Sequence, residues 1–319
     1  MKAVFLDFAT VASDTIDVSP LQQITKELTL YDHTPSDRVT TRIRGCELVY
    51  LNKVQITSDI IRAASSLKFI GLIATGVDNI DLEAAQQKNI AVCNIRAYCS
   101  KSVVEHVFGI LLELTHNLSL YQRSVRKGNW QLANNFCLLN YPIRQLSHMT
   151  LGIIGYGELG KAVAKMARAF GMKVLISGRA GLDVSADKSR TNFEDVLRES
   201  DVISLHCPLT ADTTNLIGAV ELKMMKTGAI LINTARGRLI DSTALIYALE
   251  NGIISAAGID VLAEEPPVNN DPILDYDGDN LIVTPHIAWA TVEARQNAIN
   301  EVALNAQAFL AGNRRNRVI

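Results

Sequence analysis

Residues 151–160 read LGIIGYGELG. The apolar run Leu151-Gly152-Ile153-Ile154 meets Gly155-Tyr156-Gly157-Glu158-Leu159-Gly160, and a helical pattern follows over 161–170. Strand, glycine turn and helix, in that order, are what a dinucleotide site requires. Gly155 permits the tight turn, Gly157 lets backbone approach a pyrophosphate, and Gly160 lets helix pack closely on strand. Backbone N–H groups at the helix start would hold the phosphates, helped by the positive end of the helix dipole. Three further residues could do chemistry. Arg236 follows the apolar run ending at Asn233, Glu265 follows the run ending at Leu262, and His286 follows Val283-Thr284-Pro285. A cation, a carboxylate and an imidazole at strand ends lie where an open α/β sheet binds its ligand. Each also has an ordinary reading: a surface arginine like its neighbour Arg238, a solvated loop carboxylate beside Glu264, a hydrogen-bonded structural histidine.

Positioning these groups takes two α/β units. Over the first, strands are expected at 2–7, 48–51, 69–73 and 91–93, with helices at 21–29, 57–64 and 82–87 between them. A long helix over 102–120 leads into the second unit. There the glycine turn is followed by strands at 173–176, 202–205, 229–233, 256–260 and 281–283. The last helix, 292–309, has no strand after it and is expected to pack back on the first unit. The fold class is therefore α/β in two domains. A Rossmann-type doubly wound parallel sheet spans 100–287. A smaller, discontinuous, flavodoxin-like α/β substrate domain spans 1–99 and 288–319.

Bulk properties narrow the partners. The 319 residues suffice for two cores, with 48% hydrophobic and 20% charged residues. A net charge of −2 gives no reason to expect a nucleic-acid or anionic-membrane partner, and the short basic run Arg314-Arg315-Asn316-Arg317 reads as a solvated tail. The most apolar stretch, 102–120, is broken by Glu105, His106, Glu113 and His116, which suits a buried helix rather than a membrane span. No signal peptide is visible. The five cysteines are odd in number and form no CxxC pair, as expected of reduced thiols in a cytoplasmic protein. No cluster has metal-ligand spacing, and no metal is expected.

Taken together, Ala74-Thr75-Gly76-Val77-Asp78-Asn79-Ile80-Asp81, the glycine turn, Asn233-Thr234-Ala235-Arg236-Gly237, Asp260 with Glu265-Pro266, and Thr284-Pro285-His286 carry a resemblance. The chain resembles the D-isomer-specific 2-hydroxyacid dehydrogenases, and within them the glycerate dehydrogenase/hydroxypyruvate reductase branch. The resemblance implies reversible hydride transfer between a nicotinamide cofactor and a small 2-keto acid, hydroxypyruvate or glyoxylate being the best candidates. It makes Arg236 the anchor for the substrate carboxylate, where a planar fork suits two oxygens. The backbone of Thr75, Gly76 and Val77 would take the other carboxylate oxygen. His286 would be the acid–base, and Glu265 would hold its ring and favour the imidazolium. Asp260 would bond the nicotinamide carboxamide. Thr234 and Ala235 would also contact the cofactor, and His206-Cys207-Pro208 would line its adenine side without a catalytic role. A homodimer is implied by the family alone.

The cofactor's second phosphate can be read from residues. An NAD site commonly places Asp or Glu after the second nucleotide strand. Here that strand leads into Ser177-Gly178-Arg179, with glycine at the acidic position and a guanidinium beside it. This favours NADP, with NAD as the other possibility. Two alternatives stay open on sequence. One is a nicotinamide-sensing regulatory protein of the same fold, against which the short tail argues. The other is a formate- or phosphite-type dehydrogenase; formate-type members pair the histidine with glutamine rather than a residue like Glu265.

Overall fold

The structure is a computed structural model describing residues 1–11, 15–25, 27–182, 184 and 187–319. The chain divides into two units, Met1–Cys99 with Trp289–Ile319, and Ser100–Ala288. Ala288, expected in the first unit, belongs to the second, where its amide bonds Asp260 and its carbonyl accepts from Ser102.

In the first unit, β1 (Lys2–Phe5), β2 (Glu27–Leu30), β3 (Leu48–Leu51), β4 (Phe69–Leu72) and β5 (Ala91–Cys93) form one parallel sheet in the order β2-β1-β3-β4-β5. This is the flavodoxin-like order, whose switch point lies between β1 and β3. β3, β4 and β5 are buried along their whole length, as expected of strands covered on both faces. The helix Val292–Leu310 covers one face, inserting Ala298, Ile299, Val302, Ala303 and Ala306 among Phe5, Tyr50 and Phe69. Gly71 makes this approach possible, since a Cβ there would lie 2.6 Å from Val302 Cγ2. The basic tail is not simply solvated. Val318 N–H donates to Val92 at 2.7 Å beside β5, and Arg315 grips both Glu301 oxygens at 2.9 Å.

In the second unit, β6 (Thr150–Ile154), β7 (Lys173–Ile176), β8 (Val202–Leu205), β9 (Ile230–Asn233), β10 (Ala256–Ile259) and β11 (Leu281–Val283) form a parallel sheet in the order β11-β10-β9-β8-β6-β7. The strand order reverses at β6 and β8, so the crevice opens beyond Ile154 and Leu205. No helix among the described residues is long and apolar enough to cross a membrane.

Two expected helices are corrected. Residues 21–29 split into a single turn, Ser19–Gln22, and the edge strand β2, while Lys26 lies outside the described residues. Glu27-Leu28-Thr29-Leu30 alternates exposed and half-buried positions, a period of two that the helical reading overrode. The helix expected over 102–120 ends at His116. Asn117, at φ 52°, turns the chain left-handed before a second helix, Leu118–Arg126.

Candidate active site and dinucleotide crevice

The glycine turn runs from β6 into the helix Glu158–Ala169. Gly155 has φ +95°, and a Cβ there would collide with the backbone of His206 and Cys207 at the end of β8. Gly160 has no room for a Cβ against the Gly155 carbonyl. A Cβ on Gly157 would meet nothing within 4 Å, so the turn is open on the side where a phosphate would approach. Leu159 is half-buried, and the Glu158 carboxylate accepts from the Ser100 hydroxyl. Two buried polar atoms at the ends of β8 and β9, His206 Nδ1 and Thr234 Oγ1, have no hydrogen-bond partner among the described residues. Such atoms are costly unless a ligand meets them. The open turn and the two orphaned atoms fit a dinucleotide lying along this edge. Burial pushes the His206 imidazole down to about 4, so the ring is neutral near pH 7 and its Nε2 pairs with the Ser204 hydroxyl at 2.9 Å. Cys207 is half-buried and Pro208 exposed.

The reactive residues occupy the carboxyl ends of β9, β10 and β11, three neighbours in the sheet. Asn233, fully buried at the end of β9, shapes the turn that follows. Its Oδ1 accepts from Ala235 N–H at 3.0 Å and its Nδ2 donates to the Arg236 carbonyl at 2.8 Å. Arg236 is half-buried, with Nη1 donating to the Ala235 carbonyl at 2.7 Å. Gly237 must be glycine, because a Cβ would run into the backbone of Leu262 and Ala263. The arginine turn is thus seated against the loop that carries Glu265. That glutamate accepts from Leu262 N–H through Oε1 at 2.9 Å, and its Oε2 lies 2.6 Å from His286 Nδ1. Arg238 is exposed.

His286 has φ +55°, a conformation unusual for a residue with a Cβ. Asp260, 1% exposed, enforces it. The Asp260 carbonyl accepts from His286 N–H at 2.7 Å. Its Oδ1 accepts from the Thr284 hydroxyl at 2.5 Å and Ile287 N–H at 2.9 Å, and its Oδ2 from Ala288 N–H at 2.9 Å. His106, on the helix Ser100–His116, approaches the same carboxylate at 3.4 Å and Thr284 Oγ1 at 3.0 Å. Burial pushes the Asp260 carboxyl up, but these bonds outweigh it and hold it below the ordinary value. The carboxamide contact expected of Asp260 has only a remaining Oδ2 lone pair to use, because most of the carboxylate is spent on the His286 loop. His106, read as structural from sequence, proves to brace that loop. Only the spacing of helix and loop in three dimensions could have revealed it.

In the first unit, the amides of Thr75, Gly76 and Val77 donate to no acceptor among the described residues, while the Thr75 carbonyl and hydroxyl bond Asn94 and Ile95. Trp289 packs edge-on against Tyr98 with centroids 6.2 Å apart. Among the described residues there is no metal-binding cluster.

Ser177, Gly178 and Arg179 follow β7. Ser177 is buried, Gly178 pairs its N–H with the Thr191 carbonyl at 2.8 Å, and Arg179 is exposed. A Cβ on Gly178 would lie 2.3 Å from Val184 Cγ1, so an acidic residue at this position would require Val184 to move.

Comparison with known proteins gives the class. Residues 108–288 match the D-isomer specific 2-hydroxyacid dehydrogenase NAD binding domain. A glycerate dehydrogenase of Methylorubrum extorquens is 44% identical, over 99% of this chain and 98% of that protein. A hydroxypyruvate reductase of Blautia hydrogenotrophica is 34% identical, over 98% of both. Among solved structures, an acyclic imino acid reductase in complex with NADPH and D-Arg superposes with a TM-score of 0.85, at 28% identity and complete coverage of both chains. The chain belongs to the D-isomer specific 2-hydroxyacid dehydrogenase family. It is a nicotinamide-dependent oxidoreductase that interconverts a 2-keto acid and a 2-hydroxy acid.

Proposed function

We propose that the chain reduces hydroxypyruvate to D-glycerate, with glyoxylate as a second substrate and NADPH as the preferred donor. The observation that carries this reading is the 2.6 Å contact of Glu265 with His286, on strand ends adjoining the Arg236 turn. The relatives named glycerate dehydrogenase and hydroxypyruvate reductase support the substrate.

In this reading the Gly155-Tyr156-Gly157-Glu158-Leu159-Gly160 turn, Ser177-Gly178-Arg179, His206-Cys207-Pro208, Thr234-Ala235 and Asp260 hold the cofactor. The cofactor supplies the hydride when bound. Arg236 grips the substrate carboxylate and polarises the carbonyl with its fork of donors. The turn of Thr75, Gly76 and Val77 in the first unit has unused amides, donors suited to a carboxylate oxygen. His286 gives a proton to the developing alkoxide in reduction and takes it back in oxidation. It does so through Nε2, the nitrogen that Glu265 does not hold.

NADP is favoured because Gly178 leaves no carboxylate to repel a 2′-phosphate and Arg179 stands exposed beside it. A charge-assisted bond of about 1.5–3 kcal/mol corresponds to about a ten- to hundredfold preference. The chain is also proposed to form a homodimer through the segment holding Trp130, Leu132, Phe136, Leu139 and Ile143, whose side chains are 51–90% exposed. A cytoplasmic location accords with an odd number of cysteines and the lack of a CxxC pair in the sequence. A panel of 2-keto acids with both reduced cofactors tests the whole reading. Hydroxypyruvate with NADPH should give the highest kcat/KM; inactivity on every keto acid, or a clear NADH preference, would overturn the corresponding part.

A further inference from the structure

Twelve residues past Arg179, the chain returns to β7. Thr191 pairs in parallel with Ser177, its N–H donating to the Ile176 carbonyl at 2.8 Å. That return delivers Arg190 to the carboxyl end of β7. Its Nη1 donates to the Ser177 carbonyl at 3.1 Å, and its guanidinium carbon lies 5.4 Å from the centre of the Tyr156 ring, in the glycine turn. Lys161 Nζ lies 5.9 Å from the same ring centre. Among the described residues Arg190 pairs with one carboxylate, Asp187, whose Oδ2 is 3.9 Å from Nε, too far for a hydrogen bond. About a third of the side chain is exposed.

A dinucleotide held by the glycine turn places its adenosine ribose at the end of the second strand of the unit, which here is β7. The structure assigns Arg190 as the residue that, with Arg179, selects the adenosine 2′-phosphate. This rests on the NADP reading above and adds a second guanidinium to it. The two arginines differ in kind. Arg179 is exposed and makes no side-chain hydrogen bond among the described residues, whereas Arg190 is positioned beforehand by the Ser177 carbonyl and the Tyr156 ring. A guanidinium held in place loses less entropy on gripping a phosphate, and its fork still has donors to offer. One Nη1 bond leaves four N–H groups, enough for two phosphate oxygens.

The test compares fragments that differ only in this phosphate. Binding of 2′,5′-ADP and 5′-AMP to the full chain is measured by calorimetry for wild type, Arg190→Ala, Arg190→Lys and Arg179→Ala. Wild type is expected to bind 2′,5′-ADP about ten- to a hundredfold more tightly. Arg190→Ala should lose about tenfold or more of that margin with 5′-AMP affinity unchanged, and Arg190→Lys should recover part of it as a point charge. Equal binding of the two fragments by wild type would remove the NADP reading and this assignment together. A wild-type preference that survives Arg190→Ala but falls in Arg179→Ala would overturn the assignment alone. Loss of 5′-AMP binding in Arg190→Ala would also overturn it, showing that the residue only holds the turn together.

Discussion

Each unit nails a loop to its sheet with a buried aspartate, yet the two loops carry different things. In the first unit Asp7, just past β1, accepts from the amides of Asn52, Lys53 and Val54 at 2.8, 2.6 and 3.1 Å, fixing the loop after β3 at the switch point. Asn79 seconds it, donating to the carbonyls of Asn52 and Val54. In the second unit Asp260, just past β10, holds the loop after β11 and is itself seconded by His106. The Asp7 loop carries Asn52, Lys53 and Val54, none of them an imidazole or a carboxylate. The Asp260 loop presents an imidazole at an unfavourable φ of +55° with a carboxylate on its Nδ1. A buried anion facing N–H groups is the common device for fixing a loop. The added strain and the second carboxylate mark the loop that has to place a proton.

The largest expected effect separates the two loops outright. His286→Ala should lower kcat about 10²–10⁴-fold, because it removes the acid–base itself. Thermal unfolding should hardly change, since alanine keeps the Cβ and the backbone bond to the Asp260 carbonyl and only the partly exposed ring is lost. A variant retaining more than a tenth of wild-type kcat would leave the two loops functionally alike. Asp260→Ala comes next. It strands two amides and a hydroxyl in a buried site, so a loss of about 3 kcal/mol in denaturant unfolding is expected, with kcat reduced as His286 drifts. The carboxyl is held below its ordinary value, so its contribution is complete above the unfolded-state value near 3.8 and fades as pH falls through the lower folded value. Asp260→Asn should therefore flatten the acid limb of the stability curve; an unchanged limb would mean the charge is immaterial.

Glu265→Gln keeps the shape of the pair and removes its charge. A drop of about tenfold in reductive kcat is expected, with KM for the keto acid unchanged, because the ring loses the carboxylate that orients it. Wild-type kcat in the variant would deny the carboxylate any part in the proton step. Asp7→Ala sharpens the comparison from the other side. It should cost about 2 kcal/mol of stability and raise KM for the keto acid while sparing kcat, because its loop carries no acid–base. A kcat loss as deep as that of Asp260→Ala, at equal stability, would erase the distinction.

The parts of this arrangement that follow from short stretches of chain were legible in the sequence. The strands at 48–51, 91–93 and 281–283 are uninterrupted apolar runs, those at 173–176 and 202–205 include a single polar residue, Lys173 and Ser204, and the structure has all five with those bounds. Glycines 155 and 160 announced their turn, Gly155 by its φ of +95° and Gly160 by the Gly155 carbonyl five residues back, while Gly157 leaves open the space a phosphate would use. Asn233 and Gly237 flank Arg236; Asn233 shapes the turn through Ala235 and Arg236 themselves, but the reason for Gly237 is the Leu262-Ala263 backbone, far along the chain. Asp260 was visible as a residue and not as a staple, since its partners come from the end of β11 and from a helix more than 150 residues earlier. Asp7 and Arg190 gave no signal at all. A carboxylate after a first strand and an arginine in a polar stretch look solvated until the sheet brings Asn52 and Ser177 to them.

His106 tests how much of the Asp260 device lies in the carboxylate and how much in what surrounds it. The imidazole adds one contact at 3.4 Å and one with Thr284 at 3.0 Å, beside three stronger bonds that do not need it. His106→Gln keeps a donor of similar reach, and His106→Leu keeps volume and removes it. The glutamine variant should match wild type, while the leucine variant should lose about 1 kcal/mol of stability and about threefold in kcat, with KM for the keto acid unchanged. A KM change with intact kcat would show that His106 serves substrate binding instead. A leucine variant as crippled as Asp260→Ala would show that the loop is held by the pair as a unit, with the carboxylate unable to fix His286 alone.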